Sequence, residues 1–385
     1  MINLEVSMLP DIKNIDWILI SAVLATVFLG LVTMYSFSGE SQFFERQLVW
    51  LAVGLVVFFG LSLVDMRFLR RSGVVMLIFL SVCVLLVVLL ATGATIQGAQ
   101  RWLEVGGITF QVSEFAKLAL VILLAKYFTR RHVEIAHFRH IVISGAYTGI
   151  LFLLIFFQPD LGTAMILAFI WFGMILVSGI PKKQLFIVLA GGLLIFGGMW
   201  AFALEDHQRD RVATFFQPYT DLEGSDYHIQ QSTIAVGSGQ LWGKGIGRGT
   251  QSRLEFLPEH ETDFIFAAFA EEWGFVGVIV LFVLQGIIIW RILQIAWLGA
   301  TNFETFFAIG VAILFMSHLF IHVGANVGML PVTGTTLPFM SFGGSHLLVS
   351  FVALGILMSM RGYKKVLRKE DMMRESHLDV SSPDL

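Results

Sequence analysis

Charge is scarce in this 385-residue chain: Asp, Glu, Lys and Arg make up 14% of it, against roughly 25% in a soluble domain of average composition. With 56% hydrophobic residues and a mean hydropathy of +0.80, an ordinary soluble fold is excluded. A charge at the centre of a membrane helix costs about 2.5–3.5 kcal/mol on insertion scales, so a chain built for hydrocarbon leaves charges out. Cysteine is nearly absent. The single one, Cys83, lies in an apolar run without a partner, which excludes disulfide stabilisation. A net charge of −3 provides no basic face, and nucleic acid is excluded as a partner. The beginning of the chain also lacks a basic n-region and a small-residue cleavage site, so its first apolar run is expected to remain as a span.

What is present is a succession of apolar runs near the length of about 20 residues that a bilayer requires. Ten segments fit: 15–37, 48–64, 74–91, 114–128, 141–157, 161–180, 185–204, 264–290, 306–329 and 347–360. The expected fold is an all-α polytopic membrane protein of about ten transmembrane helices. Residues 1–363 form one domain and 364–385 a disordered cytoplasmic tail. With the first residue inside, 17 of the 25 Lys and Arg fall on the inner side and seven on the outer. By the positive-inside rule both termini are then cytoplasmic. The only long water-facing stretch, 205–262, lies outside between helices 7 and 8. Its acidic residues are mixed with glycines from Gly237 to Gly249 and with apolar residues such as Trp242, Phe256 and Leu257. That mixture favours an ordered loop apposed to the membrane, and loops of this length are usually functional or disordered.

Ionisable groups inside a membrane are the best functional pointers in such a chain. Glu114 and Lys117 stand at i, i+3 on the fourth segment and share one helical face. They read either as a self-neutralising pair that sets packing, or as a polar core in which Lys117 is available to Asp160 or to a substrate phosphate. Asp160, in Gln158-Pro159-Asp160-Leu161-Gly162-Thr163, sits where one segment ends and the next begins. A carboxylate there either caps the helix or contacts substrate. Asp263 closes the long outer stretch and opens an apolar run, beside Glu259 and Glu261. Like charges and partial desolvation both raise a carboxyl pKa, and such a base could deprotonate a sugar hydroxyl. A helix cap is the plain alternative. Glu271 and Glu272 fall two turns deeper, roughly 12 Å at 1.5 Å per residue, and at most one shares the face of Asp263.

Other motifs lead nowhere. Gly243-Lys244-Gly245 is no P-loop, because Ser238 holds the first glycine position and Gly245 replaces the Ser or Thr. His318 and His322 are one turn apart and could bind a metal. No third ligand is evident, and packing or hydrogen bonding is favoured.

Together the segments resemble the SEDS family (shape, elongation, division and sporulation proteins). The resemblance is carried by Arg101-Trp102, by Gln111-Val112-Ser113-Glu114 with Lys117, and by Gln158 to Thr163. It continues through Tyr227-His228-Ile229-Gln230-Gln231-Ser232, Ala235 to Gly239, Gly243 to Gly247, and Leu257-Pro258-Glu259 leading to Thr262-Asp263-Phe264-Ile265-Phe266. Pro331-Val332-Thr333-Gly334, Pro338 and Ser341-Phe342-Gly343-Gly344-Ser345 complete it, in the family's order. Two positions depart: the family more often has proline at Val112, and a His-Thr pair where this chain has His260-Glu261-Thr262. Val332-Thr333-Gly334 resembles the rod-elongation branch more than the division branch.

The resemblance implies ten spans and an inverting glycosyltransferase that polymerises lipid II at the outer face of the bacterial cytoplasmic (inner) membrane. Asp263 would be the catalytic base. Arg101, Trp102, Glu114, Lys117, Asp160, Gln231, Ser232, Lys244, Glu259 and Ser341 would bind substrate. Arg101, Lys117, Arg209, Arg211 and Lys244 are candidates to neutralise the leaving diphosphate, and Glu259 and Glu261 to hold a divalent cation, Mg or Mn. The implied partners are a class B penicillin-binding protein, which is a transpeptidase, and membrane proteins of the elongation complex. Rival expectations are a lipid II flippase, a division-specific polymerase and a non-catalytic scaffold.

Overall fold

The computed structural model describes residues 15–37, 42–92, 94–96, 99–105, 108–131, 138–202, 225–254, 256–257 and 259–379. Its long helices are α1 (Trp17–Ser36), α2 (Gln42–Ser62), α3 (Ser72–Thr92), α4 (Val112–Arg131), α5 (Phe138–Phe156), α6 (Leu161–Val177) and α7 (Lys182–Phe202). After them come α8 (Ser225–Ser238), α9 (Ile265–Trp297), α10 (Asn302–Asn326) and α11 (Gly344–Asp379). Eight of the described helices are long and apolar enough to cross a membrane. α6 is a shorter apolar helix, and α4 coincides with the charged fourth segment expected at 114–128.

Three features differ from the expectation. Between α3 and α4 the chain forms a small antiparallel sheet, β1 (Ala94–Ile96), β2 (Ala99–Val105) and β3 (Ile108–Gln111), in the order β1-β2-β3. The fold is therefore helical with one small sheet inserted between α3 and α4. α11 runs on to Asp379, so helix occupies most of the stretch expected to be a disordered tail. The long loop also carries α8 and a helical turn, Thr250–Arg253. Its residues 205–224, with Arg209 and Arg211, and residues 380–385 lie outside the described residues.

In lipid the hydrophobic effect does little to join helices, so small residues and polar bonds do more of that work. A Cβ on Gly54 of α2 would fall 2.3 Å from the Phe351 ring of α11. One on Gly310 of α10 would fall 2.7 Å from Val121 of α4. α10 is the hub, packed against α4, α6 and α9, while α1 packs on α9. α7 contributes no buried residue.

The bundle's two ends are chemically distinct. At one end Asp16 caps α1 by accepting the Leu19 N–H at 3.1 Å. The same carboxylate receives Arg291 of α9 (Nε at 3.0 Å) and Arg361 of α11 (Nη1 at 3.0 Å). Arg70 and Glu304 pair there as well. The other end holds the C-terminus of α1, the start of α9 and the loop leading into α11.

Candidate active site

α9 begins after a tight turn in which the Glu259 carbonyl accepts the N–H groups of Thr262, Asp263 and Phe264, at 3.1, 3.0 and 3.2 Å. The N-cap is Phe264, which makes no side-chain capping bond. Asp263 therefore lies one residue outside the helix, and the capping position expected for it belongs to its neighbour. Asp263 is half-buried. Its Oδ2 faces Gly334, on which a Cβ would sit 3.5 Å away, and Gly334 has a φ of +67° that strains any other L-residue.

Three successive carbonyls fix this turn to the end of α10 and the segment after it. Phe342 N–H donates to Glu261 O at 2.9 Å, Ser341 Oγ to Thr262 O at 2.9 Å, and Asn326 Nδ2 to Asp263 O at 2.9 Å. Ser341 Oγ also accepts the Leu337 N–H at 2.8 Å. The flanking carboxylates turn to local partners: Glu261 lies 3.3 Å from His260 Nε2, and Glu259 Oε2 accepts from Thr262 Oγ1 at 3.2 Å.

The glycine-rich segment owes its glycines to backbone contact with α9. That helix breaks at Gly274 (φ 65°, ψ −168°). The carbonyls of Glu271 and Glu272, which a regular helix would engage, instead accept the N–H groups of Lys244 and Gly245 at 3.0 Å each. Phe275 and Val276 N–H donate back to Gln240 and Leu241 O, at 2.8 and 3.1 Å. A Cβ on Gly274 would lie 2.2 Å from Gly243 N, so neither chain tolerates a side chain at the crossing. Lys244 Nζ lies 2.6 Å from Glu271 Oε1, which also accepts the Thr250 N–H (2.9 Å) and hydroxyl (3.0 Å). Glu272 Oε1 accepts from Ser36 Oγ at 2.6 Å and from Gly247 N–H at 3.0 Å. Lys244, expected to meet substrate, is thus the counter-ion of a buried carboxylate.

Within the bundle a second polar group is fully enclosed. Lys117, 1% exposed, lies 2.6 Å from Glu114 Oε1 and 2.9 Å from His318 Nε2. His318 Nδ1 lies 3.0 Å from the Thr336 carbonyl, so Nδ1 donates and Nε2 is the acceptor facing the ammonium. Glu114 Oε2 takes His346 Nδ1 at 3.0 Å. This corrects the expectation that Lys117 pairs with Asp160. The Asp160 carboxylate caps α6 through the Thr163 N–H at 3.0 Å and accepts from the Thr163 hydroxyl at 2.9 Å and Gln111 Nε2 at 3.3 Å. Among the described residues, Glu114, His318 and His346 have donor atoms within 4.8 Å of one another, close enough for a metal. The Lys117 ammonium already provides the positive charge there, so the group does not fit a bound cation.

The remaining expected positions are dispersed. Arg101 and Trp102 lie in β2, with Trp102 opposite Gln111 of β3. Gln231 is half-buried on α8, and the buried Ser232 donates to Asn326 O at 2.8 Å. Ser232 and Ser341 therefore tie chain to chain. His346 and Asn326 were not singled out from the sequence, although both are polar residues within apolar surroundings, the signal that marked Glu114.

Residues 16–366 match the model of a family described as cell cycle proteins and named for FtsW, RodA and SpoVE. The chain is 36% identical over 360 residues to the peptidoglycan glycosyltransferase MrdB of Escherichia coli strain K12, covering 93% of this chain and 96% of that one. It is 34% identical to stage V sporulation protein E of Bacillus subtilis strain 168, covering 91% and 98%. Among solved structures it is similar to a chain from a peptidoglycan synthase complex that coordinates polymerization and crosslinking, with a TM-score of 0.77 at 32% identity over 90% of this chain and 97% of that one. It is also similar to the rod shape determining protein RodA of Thermus thermophilus, with a TM-score of 0.67 at 30% identity over 90% and 96%.

Proposed function

Because this chain belongs to the FtsW, RodA and SpoVE family of cell cycle proteins, we propose that it is a peptidoglycan glycosyltransferase of the bacterial inner membrane that polymerises lipid II during cell elongation. Asp263 is the general base. It takes the proton of the acceptor sugar's 4-hydroxyl, the freed oxygen attacks the donor's anomeric carbon, and undecaprenyl pyrophosphate leaves. An α-linked donor yields a β-1,4 bond, with inversion at that carbon. The observation that carries this reading is the placement of Asp263. It is a half-buried carboxylate outside the helix cap, on a turn whose carbonyls are held from the opposite segment.

Glu259 and Glu261 offer oxygen donors beside Asp263, the kind hard divalent cations take. Mg or Mn held there would bring positive charge to the leaving diphosphate. The two ends of the bundle support an outward-facing site, since the Asp16 end carries Arg70, Arg291 and Arg361 and suits the cytoplasm. A class B penicillin-binding protein and other elongation-complex proteins are the partners in this reading. The test is polymerisation of labelled lipid II by the purified protein together with such a transpeptidase. Translocation of lipid II across vesicles without any glycan product would overturn the assignment.

A further inference from the structure

We infer that Asn326 is a positioning residue for the reaction, acting through Asp263; the inference rests on Asp263 being the base. Asn326 is the last residue of α10, is 0% exposed, and has every polar atom of its amide engaged. Oδ1 accepts the Ala267 N–H at 3.1 Å, while Nδ2 donates to Asp263 O and His322 O at 2.9 Å each. The first N–H groups of a helix have no partner within it, and a side chain just ahead of the helix normally satisfies one. α9 has no such cap, because Phe264 stands at that position. Asn326 provides the missing bond from another helix, to the third residue of α9.

Two consequences follow for Asp263. Its carboxylate is released from the capping duty that an aspartate at a helix start ordinarily performs. Its main chain is also held on both sides by one planar amide, at its own carbonyl and at Ala267 one turn on. Ser341 holds the preceding carbonyl, Thr262 O, and reinforces the clamp. Asn326 makes these bonds with no side-chain atom left over for substrate, so it acts on the reaction through the base alone.

Asn326→Ala should lower kcat by about 10²-fold, the scale on which misplacing a catalytic group by an ångström acts. KM for lipid II should stay within about twofold, because a group that acts only in the transition state leaves ground-state binding alone. Ser341→Ala, which removes one hydroxyl, should show the same split at smaller size and serves if Asn326→Ala folds poorly. On an Asp263→Asn background either substitution should leave the residual rate unchanged, since a base that is absent cannot be misplaced. A rise in KM with kcat preserved, or losses that simply multiply on the Asp263→Asn background, would overturn the inference. Normal activity of Asp263→Asn would instead remove the base itself, which separates failure of that assignment from failure of this one.

Discussion

Lys117 Nζ lies 2.9 Å from His318 Nε2, an ammonium facing a ring nitrogen that has kept its lone pair. His318 keeps that lone pair because its other nitrogen donates to Thr336 O. Glu114 provides the charge and His318 the second acceptor, so the most deeply enclosed cation among the described residues is satisfied by side chains alone.

Removing one partner of a buried ion pair costs about 3–5 kcal/mol, because the other charge is left uncompensated. Lys117→Ala and Glu114→Ala should each lower the melting temperature sharply, and the double variant should lose far less than the sum. Combining Lys117→Ala with Asp160→Ala should give additive losses, since these residues have separate partners. A strong coupling between Lys117 and Asp160 would contradict the network.

Asp263→Asn keeps the shape of the side chain and cannot accept a proton. It should insert and fold normally, bind the proposed transpeptidase partner as the parent does, and lose about 10²–10⁴-fold in lipid II polymerisation, the usual contribution of a positioned base. Glu259→Gln and Glu261→Gln should each lose much less. An equal loss across all three would point to a general electrostatic effect of the acidic turn.

Glu271→Ala strips the acceptor from Lys244, Thr250 and the 250–251 backbone. A buried polar group left unsatisfied costs about 1–3 kcal/mol, and limited proteolysis should then cut within 239–251 at protease levels that leave the parent intact. Lys244→Ala removes the counter-ion but leaves Glu271 its Thr250 and Gln251 donors, so it should cost less than Glu271→Ala. If Lys244→Ala proved the more damaging of the two, the lysine would have a role beyond pairing.

Orientation is open to a labelling test. A cysteine at Ser252 should react with an impermeant thiol reagent in intact spheroplasts, and one at Ser376 should not. The reverse pattern would turn the proposed site to the cytoplasm.

Hydrophobic length was enough to locate ten of the helices, α8 not among them, and Pro159 with Asp160 marked the break between α5 and α6, because both signals are local. The partners of the polar core were not legible. His318 lies 201 residues from Lys117 in the chain, and His346 lies 232 from Glu114. No periodicity reports a pairing at that distance. The Asp160 cap could be read because capping is local. Asn326 could not, since it caps a helix 59 residues away. The sheet was hidden by strands of three, seven and four residues, too short to set a pattern against the apolar runs around them.

The crossing of the glycine-rich segment with α9 also bears on how the protein is made. Ribosomes deliver Gln240 to Lys244 before Glu271 to Val276, yet each group of backbone atoms finds its partners in the other. This rim of the candidate site therefore stays unfinished during synthesis until the first turns of α9 emerge. A chain stalled before Gly274 would present the glycine-rich segment with those amides and carbonyls unmatched.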